Sequence, residues 1–370
     1  MDIVYHRRAV FPSRSANTIN TFRLCSALSE EGHDVTLFIP KQSEAVDLFK
    51  FYGVKNKFSV VEVPDFKVMK GGGVLRSARM AFQISRKSTG VVYGRDVYTL
   101  AFLALMKRRV FLDAHSPLMK KRGLKGVIIK NLLRSRFFGG ATVISEALKL
   151  IYLEDGLPAN KLTVVRNAAD PIPIFQAEGG NRAVNRPYTI GYIGHLYQGR
   201  GVEIVISLAK NIPEVEVIIV GGTKADIEFW RGNGDDKNIT FTGFMPPGEV
   251  RDYLKRFDLL VAPYHKQIFC SDGRNDSGGF ASPVKLFEYM ATGLPILTSR
   301  LPVVEEFLSD EEALLCDPDN PDEWSDAVRK CIANPDFARR IGFNALEKLR
   351  NNFTWKERVK RIISFLSKPN

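Results

Sequence analysis

Cysteine is scarce in this chain. There are four in 370 residues, Cys25, Cys270, Cys316 and Cys331, and no two have C-x-x-C spacing. That argues against a disulfide framework and a cysteine zinc site, and it fits a reducing compartment. Long apolar runs are missing too. The longest, LAFLALM, falls far short of the ~20 residues that cross a bilayer as a helix. The N-terminus opens directly on the strand-like DIVYH, without the charged lead and apolar core of a secretory signal. A cytoplasmic location is the expectation. No HExxH, GxSxG or P-loop pattern occurs, so metalloprotease, serine hydrolase and P-loop NTPase readings have no support. No DxD-type pair sits at a strand end, and no metal or cofactor is expected.

Acidic residues are few in one half only. The net charge is +12, yet residues 1–150 hold 26 Lys and Arg against 11 Asp and Glu. The remainder of the chain is therefore slightly acidic. An excess confined to one half points to an anionic partner: lipid, nucleic acid or a phosphorylated substrate. The segments FKVMKGGGVLRSARMAFQISRK and LMKKRGLKGVIIKNLLRSRFF mix Lys and Arg with apolar residues at helical intervals. They read either as a membrane-facing surface or as solvated helix faces over a buried stripe.

What is present is a repeated alternation. DIVYH, VTLFIP, FSVVEV, GVVYG, RVFLDAH and GATVIS read as buried strands, with helical patterns such as NTINTFRLCSALSEEG between them. The second half repeats this from YTIGYIG onward and ends helical. The pattern predicts two doubly wound α/β domains in series. The first covers 1–175 and the second 186–352, with a Pro- and Gly-containing linker between them. A terminal helix in 353–370 is expected to return to the first domain. Ligands of such sheets bind beyond the strand carboxyl ends, and an interdomain cleft is the default site.

Four stretches follow strands and could carry chemistry. In ASPVKLFEYMATGLPILTS, Ser282 is a candidate N-cap and Pro283 a first helical residue, giving a helix over about 283–291. Lys285 and Glu288 then share one face near its mouth. A phosphate would suit Lys285, and vicinal hydroxyls would suit the carboxylate. The alternative is a surface ion pair. GYIGHLYQGRG is a glycine loop between strand and helix, with Arg200 just before the helix; its glycine spacing is not that of a dinucleotide fingerprint. SRSANTIN offers small residues after the first strand, where Ser15 or Asn17 either caps a helix or approaches a ligand. FLDAHSP places Asp113 and His115 at a strand end.

Taken together and in order, these stretches resemble the retaining glycosyltransferases of family four, nearly end to end. SPVKLFEYMATGLP is the most specific part, close to a SPxKxxEYMAxGxP signature. The resemblance implies a GT-B fold, α/β, with two Rossmann-like parallel-sheet domains facing a cleft. It assigns catalysis to His115, Arg200 and Lys285. It assigns donor contacts to Ser15, Ala16, Asn17, Gly194, His195, Arg200, Phe244, Ser282, Pro283, Lys285 and Glu288. Glu288 would hold the ribose hydroxyls, and Lys285, Arg200 and the amides near Ser282 would hold the diphosphate. Phe244 would touch the base, and His115 with the Ser15–Asn17 loop would face the sugar and acceptor.

Two departures stand out. Relatives carry a glutamate eight residues before the equivalent of Glu288, where this chain has Phe280; Asp272 or Asp276 is a candidate replacement. The usual Arg and Lys of the glycine loop are His195 and Arg200 here. The implied partners are a UDP- or GDP-sugar, a saccharide or lipid-linked acceptor, and the anionic inner face of a membrane touched by the basic first domain. Nucleic acid is not expected. The rivals are a nucleotide-sugar 2-epimerase and a basic membrane- or nucleic-acid-binding module.

Overall fold

The computed structural model describes residues 1–13, 15–42, 46–55, 57–64, 72–118, 123–172, 186–197, 199–232, 237–245, 247–269 and 276–368. The chain divides into two compact units, Met1–Arg166 with Trp355–Asn370, and Asn167–Thr354.

The first unit is a parallel sheet built from β1 (Asp2–His6), β2 (Asp34–Pro40), β3 (Ser59–Val63), β4 (Val91–Gly94), β5 (Val110–Ala114), β6 (Phe138–Val143) and β7 (Leu162–Val164). The strand order is β3-β2-β1-β4-β5-β6-β7, with every pair parallel. Helices cover both faces, so the strands are apolar nearly throughout. Ile3, Val4 and Tyr5 of β1 have no exposed surface. The chain winds one way from β1 to β3 and the other way from β4 to β7. The neighbours β1 and β4 thus mark the topological switch point, where open α/β sheets leave a crevice at their carboxyl edge.

The first helix, Ala16–Glu30, starts where Ser15 turns its side chain onto the Thr18 amide, and it buries Phe22, Leu24, Cys25 and Leu28. Covering four such side chains contributes about 1.5–3 kcal/mol for each large one. The terminal helix Trp355–Leu366 completes this unit. Its Phe365 ring meets Phe111 of β5 at 5.8 Å, and its Arg358 is only 4% exposed. Two basic helices, Gly73–Lys87 and Gly123–Arg134, leave Leu75, Phe82 and Val127 exposed. The Lys and Arg of 65–71 and 119–122 lie outside the described residues. Among those described, no helix is long and apolar enough to cross a membrane.

The second unit holds β8 (Tyr188–Ile193), β9 (Val215–Val220), β10 (Ile239–Gly243), β11 (Leu259–Ala262), β12 (Ile296–Ser299) and β13 (Leu314–Cys316), in the parallel order β10-β9-β8-β11-β12-β13. Its switch point lies between β8 and β11. The segment after Arg166 is fastened to this unit by hydrogen bonds at Asn167, Ala169 and Ile172. Asn167 donates from its side chain to the Ser282 carbonyl at 2.6 Å, Ala169 N–H to Phe353 O at 3.1 Å, and Ile172 N–H to Ala291 O at 2.8 Å. The rest of the linker, 173–185, is outside the described residues. Trp324 is fully buried and donates its indole N–H to the Asp317 carbonyl at 2.9 Å.

The signature helix differs from the expectation in one respect. It runs Val284–Met290, and Pro283 is its N-cap rather than its first helical residue. Ser282 does not cap it. Its hydroxyl accepts the Asn167 N–H at 3.4 Å instead, because the incoming 167–172 segment reaches that oxygen. The helix stays in place through Leu286, Phe287, Tyr289 and Met290, which are all buried. Phe287 stacks on Phe307 at 4.6 Å.

Candidate functional site

The helix Val284–Met290 has fewer than two turns, so its dipole is small. The larger local charge is the Lys285 ammonium. Its Nζ lies 3.6 Å from the Tyr192 ring centroid and 5.7 Å from that of Tyr264. This nitrogen is buried, and it has no hydrogen-bond partner among the described residues. Two aromatic faces offer a cation partial compensation. Burial nonetheless drives its pKa well below the ordinary lysine value, and Arg200 pushes it the same way while Glu288 opposes. Arg200 shares the Tyr264 ring, with its Cζ 5.7 Å from the centroid, and its Nε is likewise buried without a partner. Burial, opposed by Arg200, raises the Tyr264 hydroxyl to about 12, so it is a neutral donor at physiological pH.

The glycine loop after β8 is shaped around this cation pair. Gly194 has φ +149°, and a Cβ there would stand 2.7 Å from Lys285 Cε and 2.9 Å from its Nζ. Gly201, the N-cap of the helix Val202–Asn211, has φ +67°, and a Cβ would stand 1.8 Å from the Pro263 carbonyl. The loop is thereby pressed onto the strand end that carries Tyr264. Three buried tyrosines hold it: Tyr192 donates to His195 O at 2.6 Å, Tyr289 accepts Ile193 N–H at 2.8 Å, and Tyr264 lies beneath both cations. Residues 194–200 and 282–288 therefore converge on one place.

His195 is exposed and stacks on Tyr197 at 4.9 Å. Partial burial, with Arg200 and Lys285 nearby, lowers its pKa, so it adds no charge at neutral pH. Glu288 is exposed one turn beyond Lys285 on the same helix. Phe244 is 49% exposed just past β10, two strands from β8. Asp276 is described and is committed elsewhere. Its carboxylate accepts from the Ile268 and Gly278 amides at 2.9 and 2.8 Å. Asp272 lies outside the described residues. Phe280 is half-buried.

In the first unit, His115 and the Ser15–Asn17 stretch are joined through a residue that the sequence reading missed. Arg95, directly after β4, donates its Nε to Asp113 at 2.8 Å and to Tyr5 at 3.1 Å, and its Nη1 to Asn17 Oδ1 at 3.2 Å. Asp113 also accepts from Tyr5 at 2.7 Å and lies 3.1 Å from His115 Nε2. Burial alone would raise this carboxyl, but His115 and Arg95 outweigh it and hold it well below the usual range. Burial, reinforced by Arg95 and opposed by Asp113, lowers His115 to about 4. The imidazole is neutral, its Nε2–H is directed at Asp113, and Nδ1 remains as the acceptor. Ser15, Ala16 and Asn17 are exposed at the start of their helix, and the Ser15 hydroxyl serves as its cap. The signals for the missed residues were present: Arg95 follows the strand GVVYG, Tyr192 lies in GYIG, and Tyr264 closes VAPY.

Among the described residues, no three His, Cys, Asp or Glu side chains group as metal ligands would.

Residues 187–334 match the family model described as Glycosyl transferases group 1. An uncharacterized glycosyltransferase of Methanocaldococcus jannaschii is 25% identical over 365 residues, 90% of this chain and 89% of that protein. A D-inositol 3-phosphate glycosyltransferase of Corynebacterium efficiens is 25% identical over 297 residues, 73% of this chain and 65% of that one. Among solved structures, Anabaena Alr3699/HepE in complex with UDP and glucose aligns with a TM-score of 0.72 at 16% identity, covering 99% of both chains. The chain has the GT-B fold, two parallel-sheet α/β units, and residues 187–334 within its second unit match the group 1 glycosyltransferases.

Proposed function

We propose that this chain is a glycosyltransferase that moves a sugar from a UDP- or GDP-sugar to a saccharide or lipid-linked acceptor, with retention at the anomeric carbon and without a metal ion. The observation that carries this reading is the Lys285 ammonium, buried on the Tyr192 ring beside Arg200 with no hydrogen-bond partner among the described residues. A buried cation left in this way is costly, and a diphosphate oxygen would satisfy it. Arg200 supplies the second charge. Fixed donors aimed at the departing diphosphate stabilise the charge that develops as the C1–O bond breaks. The acceptor oxygen forms the new bond to C1 on the same face, and its proton passes to the leaving phosphate oxygen. Two resident cations offer the charge compensation that a metal would otherwise give.

In this reading Glu288 accepts from the ribose hydroxyls and the exposed Phe244 ring meets the base. Gly194 and the amides beside Ser282 and Pro283 approach the diphosphate. His115 accepts a hydroxyl of the sugar through Nδ1, and Ser15, Ala16 and Asn17 line the same unit's ligand edge. The basic helices Gly73–Lys87 and Gly123–Arg134, with Leu75, Phe82 and Val127 exposed, suit contact with the anionic inner face of the cytoplasmic membrane. A role in cell-surface polysaccharide, lipopolysaccharide or glycolipid assembly follows from such an acceptor.

Calorimetric titration with UDP and GDP tests the donor half. Saturable binding is expected, with at least a tenfold loss in Lys285→Ala and an unchanged fold by circular dichroism. A Lys285→Ala variant that binds nucleotide or transfers sugar at the wild-type level would refute it. Product analysis by NMR reads the anomer, and incubation with donor alone reveals any isomerised sugar, the mark of an epimerase.

A further inference from the structure

A second group of cations lies at the switch point of the first unit's sheet. Arg7 directly follows β1 and Arg95 directly follows β4, the two strands that flank the crevice. The Arg95 guanidinium works against the charge of Arg7. A third, Arg358, is buried near the same carboxylate. Arg358 donates to the Arg166 carbonyl. The Asp113 carboxylate already receives Tyr5, Arg95 and His115. The other acid nearby, Asp96, is occupied from behind. It accepts from Ser77 and Thr99 at 2.6 Å each, and Arg8 reaches Ser77 and lies 4.0 Å from Asp96. His115 is neutral and cannot add negative charge.

Arg7 differs from its neighbours Arg8 and Arg95 in having no such assignment. Its backbone N–H donates to the Phe38 carbonyl at 3.1 Å, but its Nε is buried with no hydrogen-bond partner among the described residues. Arg95 is spent through Nε and Nη1 on Asp113, Tyr5 and Asn17, which leaves Nη2. Desolvated guanidinium groups in excess over carboxylates are unfavourable unless an anion completes them, and Arg forks fit planar or tetrahedral oxyanions bidentately. The exposed start of the helix Ala16–Glu30, at Ser15–Asn17, borders the same edge.

We propose that Arg7 and Arg95 at this crevice bind a phosphate or carboxylate carried by the acceptor. The word acceptor rests on the glycosyltransferase reading; the anion subsite itself does not. It makes the preferred acceptor an acidic or phosphorylated saccharide rather than a neutral one.

The test uses the full-length protein labelled with 15N at arginine. The Arg7 Nε–H signal is assigned by its loss in Arg7→Gln, whose fold is checked by circular dichroism. Glucose 6-phosphate, glucuronate and glucose are titrated separately, and the first two arms tell phosphate from carboxylate. The expected result is a saturable shift of the Arg7 signal with at least one of the anionic sugars. That sugar should bind at least tenfold tighter than glucose, and Arg7→Gln should lose that preference. Equal affinity for all three sugars, an Arg7 signal that never saturates, or a preference retained in Arg7→Gln would overturn the proposal. Titration of UDP into the same wild-type sample separates the two readings. UDP binding with no Arg7 response to either anionic sugar sinks the anion subsite alone, and an Arg7 response to an anionic sugar without UDP binding sinks the donor assignment alone.

Discussion

Gly194 and Lys285 occupy one space: a single methyl on Gly194 would lie 2.7 Å from the lysine Cε. Gly194→Ala should therefore push the ammonium off the Tyr192 ring, and the φ of +149° adds strain of about 1–3 kcal/mol. The expected outcome is at least a tenfold weaker nucleotide affinity by calorimetry, with a smaller effect on the melting temperature than on binding. Equal affinity in the alanine variant would show that Lys285 does not hold the ligand.

Lys285 carries a pKa well below the ordinary lysine value because it is buried beside Arg200. A diphosphate would raise it again. Binding of UDP should then take up protons from solution, and affinity should fall as pH rises through the depressed value. Calorimetry in two buffers of different ionisation enthalpy measures the uptake. Lys285→Met should abolish it.

Asp113 is a buried carboxylate, 1% exposed in its side chain, that compensates Arg95 at 2.8 Å. Asp113→Asn keeps the shape and removes the charge, leaving Arg95 without its carboxylate. The expected loss is about 3–5 kcal/mol in urea unfolding. A change below 1 kcal/mol would mean that the arginines find other partners.

His6 is fully buried, neither ring nitrogen has a hydrogen-bond partner among the described residues, and burial lowers its pKa to about 4. The folded value lies below the ordinary 6.5, so the unfolded chain takes up the proton first. Its contribution is complete above pH ~6.5 and is lost as pH falls toward 4, by on the order of 3 kcal/mol. His115 adds a loss in the same window. Melting temperature measured from pH 7 to 4 should fall, and less steeply in His6→Gln.

The alternation of strands and helices was legible because a parallel sheet covered on both faces writes near-continuous apolar runs, and Val, Ile and Phe mark them without ambiguity. Lys285, Arg200 and Gly194 were legible because each sits at a strand end or a helix mouth, where sequence position alone implies the functional edge. What joins them was not. The seat of Lys285 is Tyr192, ninety-three positions away in sequence, and nothing in a one-dimensional spacing brings those two together. Arg95 escaped notice for the same reason: its meaning lies in Asn17 and Asp113, which the fold alone makes neighbours. Ser282 was assigned as a cap because its type is right for one; only the packed 167–172 segment shows that its hydroxyl is claimed by Asn167.

The helix that brings Arg358 and Phe365 to the first unit is encoded after the whole of the second. Synthesis follows the same order. The opening sheet leaves the ribosome short of the guanidinium beside Asp113 and of the ring over Phe111, while Asn167–Thr354 is one uninterrupted stretch. The later half can reach its final form first, and the earlier half is sealed by a helix translated after it.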